Sequence, residues 1–214
     1  MKNIQEIITI LDKKYPDADI ALDFKDVFQL LVVVILSAQC TDKQVNKISP
    51  ELFRSFPAIK DFAECEPDEL EKFIHSTGFY KNKAKNIKAA AQMILSEFGG
   101  KVPDNMKDLL KLPGIARKSA NVILSSGYGN NEGIVVDTHV IRLSGLLGLV
   151  PKKLSKNKDA VKIEENLIKI VPKMYWGKFS HLLIHHGRNI CIARRPKCDI
   201  CPLNHICPSA FYWK

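Results

Sequence analysis

Leu112-Pro113-Gly114-Ile115-Ala116-Arg117-Lys118-Ser119-Ala120 decides how this chain folds, together with Val136-Asp137-Thr138-His139, whose aspartate follows Lys118 by nineteen residues. Leu-Pro-Gly closes one helical pattern, because proline lacks the N–H a helix interior needs and glycine tolerates positive φ. Ala116, Ala120, Ile123 and Leu124 then recur at helical spacing, so a second helix leaves the turn at once. Helix, tight turn and helix gather unpaired main-chain N–H groups at a positive helix end, a ready site for a phosphate-like anion. Lys111, Arg117 and Lys118 flank that site. Taken alone, the nonapeptide fits an ordinary helical hairpin with solvated lysines equally well.

Outward from the hairpin, helical periodicity recurs along the chain. Residues 4–15, 45–56, 67–75, 82–98, 159–170 and 178–186 carry apolar positions at helical spacing, with Ile87, Ala91, Ile94 and Phe98 on one face of the fourth. Residues 27–39 are apolar almost all round and too long without a turn signal for a strand, so a buried helix is predicted. Pro67 suits a first turn, with Asp68 and Glu69 favourable at its positive end. Asp104 and Asp137 stand where N-caps would, and Gly78 and Gly187 where helices would stop. No alternating strand pattern survives, and the predicted class is all-α.

With 214 residues and nearly half of them apolar, a sizeable core needs no disulfide staples. The net charge of +9 is spread over many segments, which favours a polyanionic partner, nucleic acid ahead of membrane. The longest apolar run, Leu30 to Leu36, is far too short to span a bilayer, and no leader is visible, so a cytoplasmic protein is expected. Cys40 and Cys65 are isolated, and the apolar surroundings of Cys40 predict a small buried side chain. Cys191, Cys198, Cys201 and Cys207 crowd into seventeen residues, a strong signal for a soft metal site. On spacing alone, zinc and an iron–sulfur cluster are equally open. His181 and His185, four residues apart with no acidic neighbour, read as structural histidines.

The combination resembles the helix-hairpin-helix, Gly/Pro-rich loop and aspartate signature of the endonuclease III family of DNA glycosylases. Family members read Leu-Pro-Gly-x-Gly-x-Lys-Thr-Ala and then Val-Asp-Thr-His; here Ala116 replaces the second glycine and Ser119 the threonine. The resemblance covers almost the whole chain. It implies two helical lobes with a DNA-binding cleft between them: a six-helix lobe over residues 20–133, and residues 1–19 joined to 134–214. It also assigns the four cysteines to a 4Fe–4S cluster.

The resemblance carries roles onto matching residues. Lys118 becomes the nucleophile that attacks C1′ of a sugar and forms a Schiff base. Asp137 stabilises the positive charge that develops as the base leaves, and relays the lysine proton. Gln39, in Ser37-Ala38-Gln39, fills the gap left by an extruded nucleotide, and Phe79, in Gly78-Phe79-Tyr80, wedges between bases where common members have leucine. Lys111, Leu112, Gly114, Ala116 and Arg117 would hold DNA at the hairpin, and Arg195 beside the cysteines. The implied protein is a monomeric bifunctional glycosylase and apurinic/apyrimidinic (AP) lyase, acting on oxidised pyrimidines and abasic sites in duplex DNA. A thymine-mismatch or pyrimidine-dimer glycosylase would share the fold. A non-catalytic DNA-binding module would not need both Lys118 and Asp137.

Overall fold

The computed structural model describes residues 4–212, and every regular element among them is helical. The chain divides into two compact units: Ala21–Asn130, and the N-terminal segment through Ile20 joined to everything from Asn131 onward.

The unit of Ala21–Asn130 is built around α2 (Val27–Ser37), where eight of eleven residues are buried. Asp26 caps it, its carboxylate accepting from Gln29 N at 2.8 Å. Around it lie α3 (Asp42–Ser55), α4 (Ile59–Glu64), α5 (Pro67–Ile74) and α6 (Tyr80–Glu97). Phe62 of α4 joins Phe28 and Phe56 at ring separations of 5.3 and 5.2 Å, filling the space between three elements with offset rings. The one-turn helix α7 (Met106–Leu109) and α8 (Arg117–Val122) form the hairpin, and α8 runs on as a π-helical turn over Ile123–Gly127.

The second unit packs α1 (Ile4–Lys14), α9 (Thr138–Leu146), α10 (Lys152–Lys156), α11 (Ala160–Leu167) and α12 (Trp176–Asn189) on one core. Ile8, Leu11, Val140, Leu143, Leu167, Phe179 and Leu182 are fully buried there. Leu203, from the cysteine segment, is buried in the same core and so anchors a stretch with little regular structure of its own. Among the described residues no helix is long and apolar enough to cross a membrane.

Four local expectations need correction. The cap of α7 is Asn105, not Asp104: its side chain accepts from Asp108 N at 3.0 Å and donates to the Asp108 carboxylate at 3.0 Å. Gly187 does not end α12, which continues to Asn189. A Cβ at that glycine would lie 2.6 Å from Nδ1 of His139 and 3.2 Å from Arg142 Nη2, so Gly187 serves a close approach of α9 to α12. Cys40 is partly exposed, because α2 ends at Ser37 and the left-handed turn at Gln39 carries the chain out of the core. The short helices α4 and α10 carry too few apolar repeats to register as periodic.

The crowding at Gly187 sets a test. Gly187→Ala forces the His139 ring to move, and overpacking of this kind costs about 1–3 kcal/mol. At roughly 2–4 °C per kcal/mol, thermal unfolding should shift down by several degrees. An unchanged melting temperature would show that the ring has room to retreat.

Candidate DNA-binding hairpin and cysteine loop

The hairpin turns at Leu112-Pro113-Gly114, where Gly114 takes φ +82 and Ile115 N donates to Leu112 O at 3.1 Å. Glycine is required there twice over. The conformation is left-handed, and a Cβ would come within 3.0 Å of Asn86 Cβ on α6. Ala116 is the cap residue of α8, in extended conformation, and it contributes no side-chain bond. Gly114, Ala116, Arg117 and Lys118 are all exposed, so the first turn of α8, whose N–H groups have no intrahelical acceptors, lies at the surface beside two cationic residues.

Two hairpin residues do something other than expected. Leu112 is buried, and its N–H donates to Leu109 O at 3.1 Å, so it anchors the turn in the core and offers no side chain to DNA. Lys111 pairs with Asp108 at 2.7 Å and lies 6.0 Å from the Phe98 ring centre. Hydrogen bonding to Asp108 raises its pKa, and the same bond, helped by Asn105, holds the Asp108 carboxyl below its ordinary range. The positive charge beside the turn is therefore partly neutralised.

Lys118 lies in the unit of Ala21–Asn130, and Asp137 belongs to the other. Asp137 caps α9, with Oδ1 accepting from Val140 N at 2.8 Å. Its second oxygen has no hydrogen bond among the described residues, so the cap leaves half of the carboxylate available. His139, from the same motif, is accounted for by packing against Gly187, and burial pushes its pKa down.

Gln39 and Phe79 share an uncommon feature. Both are exposed, and both take left-handed backbone, at φ 54 and φ 49. Phe79 is 67% exposed, which rules out the role of core phenylalanine. Between their loops lies a residue that the sequence reading missed. Lys83 is buried and donates from Nζ to Leu36 O and to Thr77 O, each at 2.8 Å. The signal was present, since Lys83 falls in register with Ile87, Ala91 and Ile94 on the apolar face of α6.

The cysteine loop leaves the end of α12, where Cys191 N donates to His186 O at 2.8 Å and Lys197 N to Ile190 O at 2.9 Å. Cys191, Cys198, Cys201 and Cys207 line one cavity of about 270 Å3 together with Leu143 and Leu147. Among the described residues no three His, Cys, Asp or Glu groups converge on a single ion. Four cysteines around one cavity suit a polynuclear cluster with one thiolate per iron. Arg142 Nη1 lies 3.6 Å from Cys191 Sγ, and His186 Nε2 lies 3.5 Å from Cys201 Sγ.

Burial, with Arg142 nearby, pushes the His186 pKa down to about 4, so the ring is neutral at neutral pH. Once Cys201 is a metal-bound thiolate it can only accept, so Nε2 would carry the hydrogen and Nδ1 would be left to accept from the Tyr15 hydroxyl, which lies 3.4 Å away. Burial also pushes the Cys191 and Cys201 thiols up, so metal loading must displace their protons. Arg194, Arg195 and Lys197 are exposed in the same loop. His185 packs against the Tyr15 ring at 5.9 Å, a structural role.

Residues 32–173 match the HhH-GPD superfamily base excision DNA repair protein family, and residues 191–207 match the iron–sulfur binding domain of endonuclease III. Endonuclease III of Synechocystis sp. is 50% identical over 205 residues, covering 96% of this chain and 91% of its own. The chain belongs to the endonuclease III family. Two solved structures of the family align over nearly all of it, both at 39% identity. A non-covalent endonuclease III–DNA complex gives a TM-score of 0.89 over 97% of this chain and 95% of its own. A trapped endonuclease III–DNA covalent intermediate, an estranged-adenine complex, gives 0.88 over 99% and 98%. This family member is a DNA glycosylase and AP lyase of base excision repair, and its cofactor is a 4Fe–4S cluster.

The cysteine geometry predicts about four iron and four sulfide per chain, one iron per thiolate. Cys198→Ser should lose most of the visible absorbance of the purified protein. Stoichiometric zinc in colourless protein purified anaerobically from iron-replete cells would contradict the assignment.

Proposed function

We propose that this chain removes oxidised pyrimidines from duplex DNA through a Schiff base on Lys118, and then cleaves the strand by β-elimination. The observation that carries the proposal is the exposed Lys118 in the first turn of α8, directly after the exposed turn at Gly114. DNA phosphate held at that turn places the sugar within reach of the amine. Lys118 Nζ attacks C1′, the C1′–N bond breaks, and the base departs with the electron pair. The C1′–O4′ bond then opens as the nitrogen gives up a proton and O4′ takes one, and the resulting Schiff base acidifies the C2′ protons. Loss of one of them breaks the C3′–O bond, and the 3′ phosphate leaves.

In this reading Asp137 gives one carboxylate oxygen to the α9 cap, which fixes its orientation, and turns the other to the positive charge that develops on the sugar. It also relays the proton that Lys118 must shed before attacking. Gln39 takes the gap left by the extruded nucleotide and satisfies the base left opposite, and Phe79 wedges between bases, roles for which their exposure suits them. Gly114, Ala116 and Arg117 hold the backbone phosphate, Lys111 contributes less because Asp108 pairs with it, and Arg195 supports the duplex from the cysteine loop. The protein acts as a monomer. Cys191, Cys198, Cys201 and Cys207 would hold the 4Fe–4S cluster with one thiolate per iron, leaving no open position for substrate, so it would supply no step of this chemistry.

Borohydride added during turnover on a duplex carrying thymine glycol should freeze protein and DNA into one slow-migrating band. Lys118→Gln should abolish trapping and leave duplex binding largely intact. Asp137→Asn should bind normally and trap about 10²–10³-fold more slowly, the usual scale for loss of one transition-state partner. Base release without trapping in the wild type would make water the nucleophile, and trapping by Lys118→Gln would move the role to another amine. A preference for mismatched thymine or a cyclobutane dimer over thymine glycol would favour the sister activities.

Binding should weaken with salt on a log–log slope set by about four to seven neutralised phosphates. Arg195→Ala should weaken binding to all sequences alike and flatten that slope by up to about one unit. An unchanged slope would show that Arg195 stands clear of the DNA.

A further inference from the structure

Lys83 is an ammonium group on the core face of a helix. Only 4% of the residue is exposed, and among the described residues no carboxylate pairs with it. Burial pushes its pKa down, as expected for a cation taken out of water. An apolar residue would fill the same volume with no desolvation cost, so the charge calls for a reason beyond packing.

Its two partners supply one. Leu36 lies in the last turn of α2, whose terminal carbonyls lack intrahelical donors and carry partial negative charge. Thr77 closes the 3-10 turn His75–Thr77 that follows α5. Three residues beyond Leu36 stands Gln39, and two beyond Thr77 stands Phe79. A single Nζ thus joins the roots of both loops, 2.8 Å from each carbonyl. A second tie reinforces the first: Gln44 Nε2, in the first turn of α3, donates to Ser76 Oγ at 2.7 Å. Both loop residues hold a left-handed backbone that side-chain-bearing residues disfavour, and such a conformation persists where its surroundings over-determine it.

We propose that Lys83, seconded by Gln44, is a positioning residue that holds the Gln39 and Phe79 loops at a fixed spacing, so that the two side chains enter the duplex as one unit. The proposal rests on the roles given above to Gln39 and Phe79. Neither Lys83 nor Gln44 touches the reacting sugar. Their effect is confined to substrates in which a stacked, paired nucleotide has to be displaced.

The experiment compares borohydride trapping by the cluster-loaded full chain on one abasic strand, presented either in a duplex or alone. Lys83→Met keeps the stem and removes the ammonium, and Gln44→Leu removes the surface tie. On the duplex, Lys83→Met should trap about ten- to a hundredfold more slowly, the scale of a small misplacement of a positioned group, and Gln44→Leu should show a smaller loss. On the single strand both should stay close to wild type. A 2-aminopurine placed opposite the site should brighten on binding wild type and respond less to either variant.

Equal losses on duplex and single strand would reduce Lys83 to a fold-supporting residue and overturn the proposal. If Lys83→Met fails to fold, Gln44→Leu carries the test, and its full duplex activity would overturn the proposal as well. Gln39→Ala and Phe79→Ala separate the two levels. If they leave duplex trapping intact, the roles given to those side chains fall, and this inference with them. If they lose it while Lys83→Met and Gln44→Leu do not, this inference alone falls.

Discussion

At Gly114 the hairpin backbone passes α6 with room for a hydrogen atom and nothing larger. A Cβ would sit 3.0 Å from Asn86 Cβ and 3.1 Å from its Nδ2. That approach fixes the height of the turn along α6, and with it the position of Ala116, Arg117 and Lys118 at the start of α8. Lys83 lies one helical turn before Asn86 and binds the ends of two other loops. One rigid helix therefore indexes both the exposed hairpin turn and the two residues proposed to enter the base stack. A buried cation is an expensive way to join loops, but its donors bond two carbonyls that a helix end and a 3-10 turn would otherwise leave unsatisfied.

The second unit solves a different problem, holding a segment that has little regular structure. The cysteine loop is pinned by Leu203 in the core, by main-chain bonds to the end of α12, and by Asn204 Nδ2 donating to Cys198 O at 3.1 Å. The two nitrogen donors nearest the sulfurs differ in kind. Arg142 brings a full charge to Cys191, while His186, kept neutral by burial, brings only a dipole to Cys201. Outside this shell the exposed Arg194, Arg195 and Lys197 are left for an anionic partner. The loop that would hold the cluster thus also displays three exposed basic residues.

Much of this was legible before folding because it is local. Helical periodicity, the Leu-Pro-Gly stop, the four-cysteine spacing and the Asp137 cap each depend on residues a few positions apart. The errors lie where local signals compete. Asp104 and Asn105 are both good caps, and only the reach to Asp108 chooses Asn105. Lys111 reads as a free phosphate ligand until its partner one turn earlier, Asp108, is seen to hold it. Gly187 carries the usual mark of a helix end, yet its lack of a side chain is used sideways, against His139.

The sequence by itself determined the all-helical class, the hairpin, the iron–sulfur loop and the family, because spacing along the chain is all that those features require. Tertiary structure alone decided that Lys83 binds the Leu36 and Thr77 carbonyls, that Leu112 serves the core, and that Gln39 and Phe79 stand exposed on strained turns. Lys83 meets the Leu36 carbonyl across 47 residues of chain. A contact of that range is set by how α2 and α6 pack, and no periodicity in the chain records it.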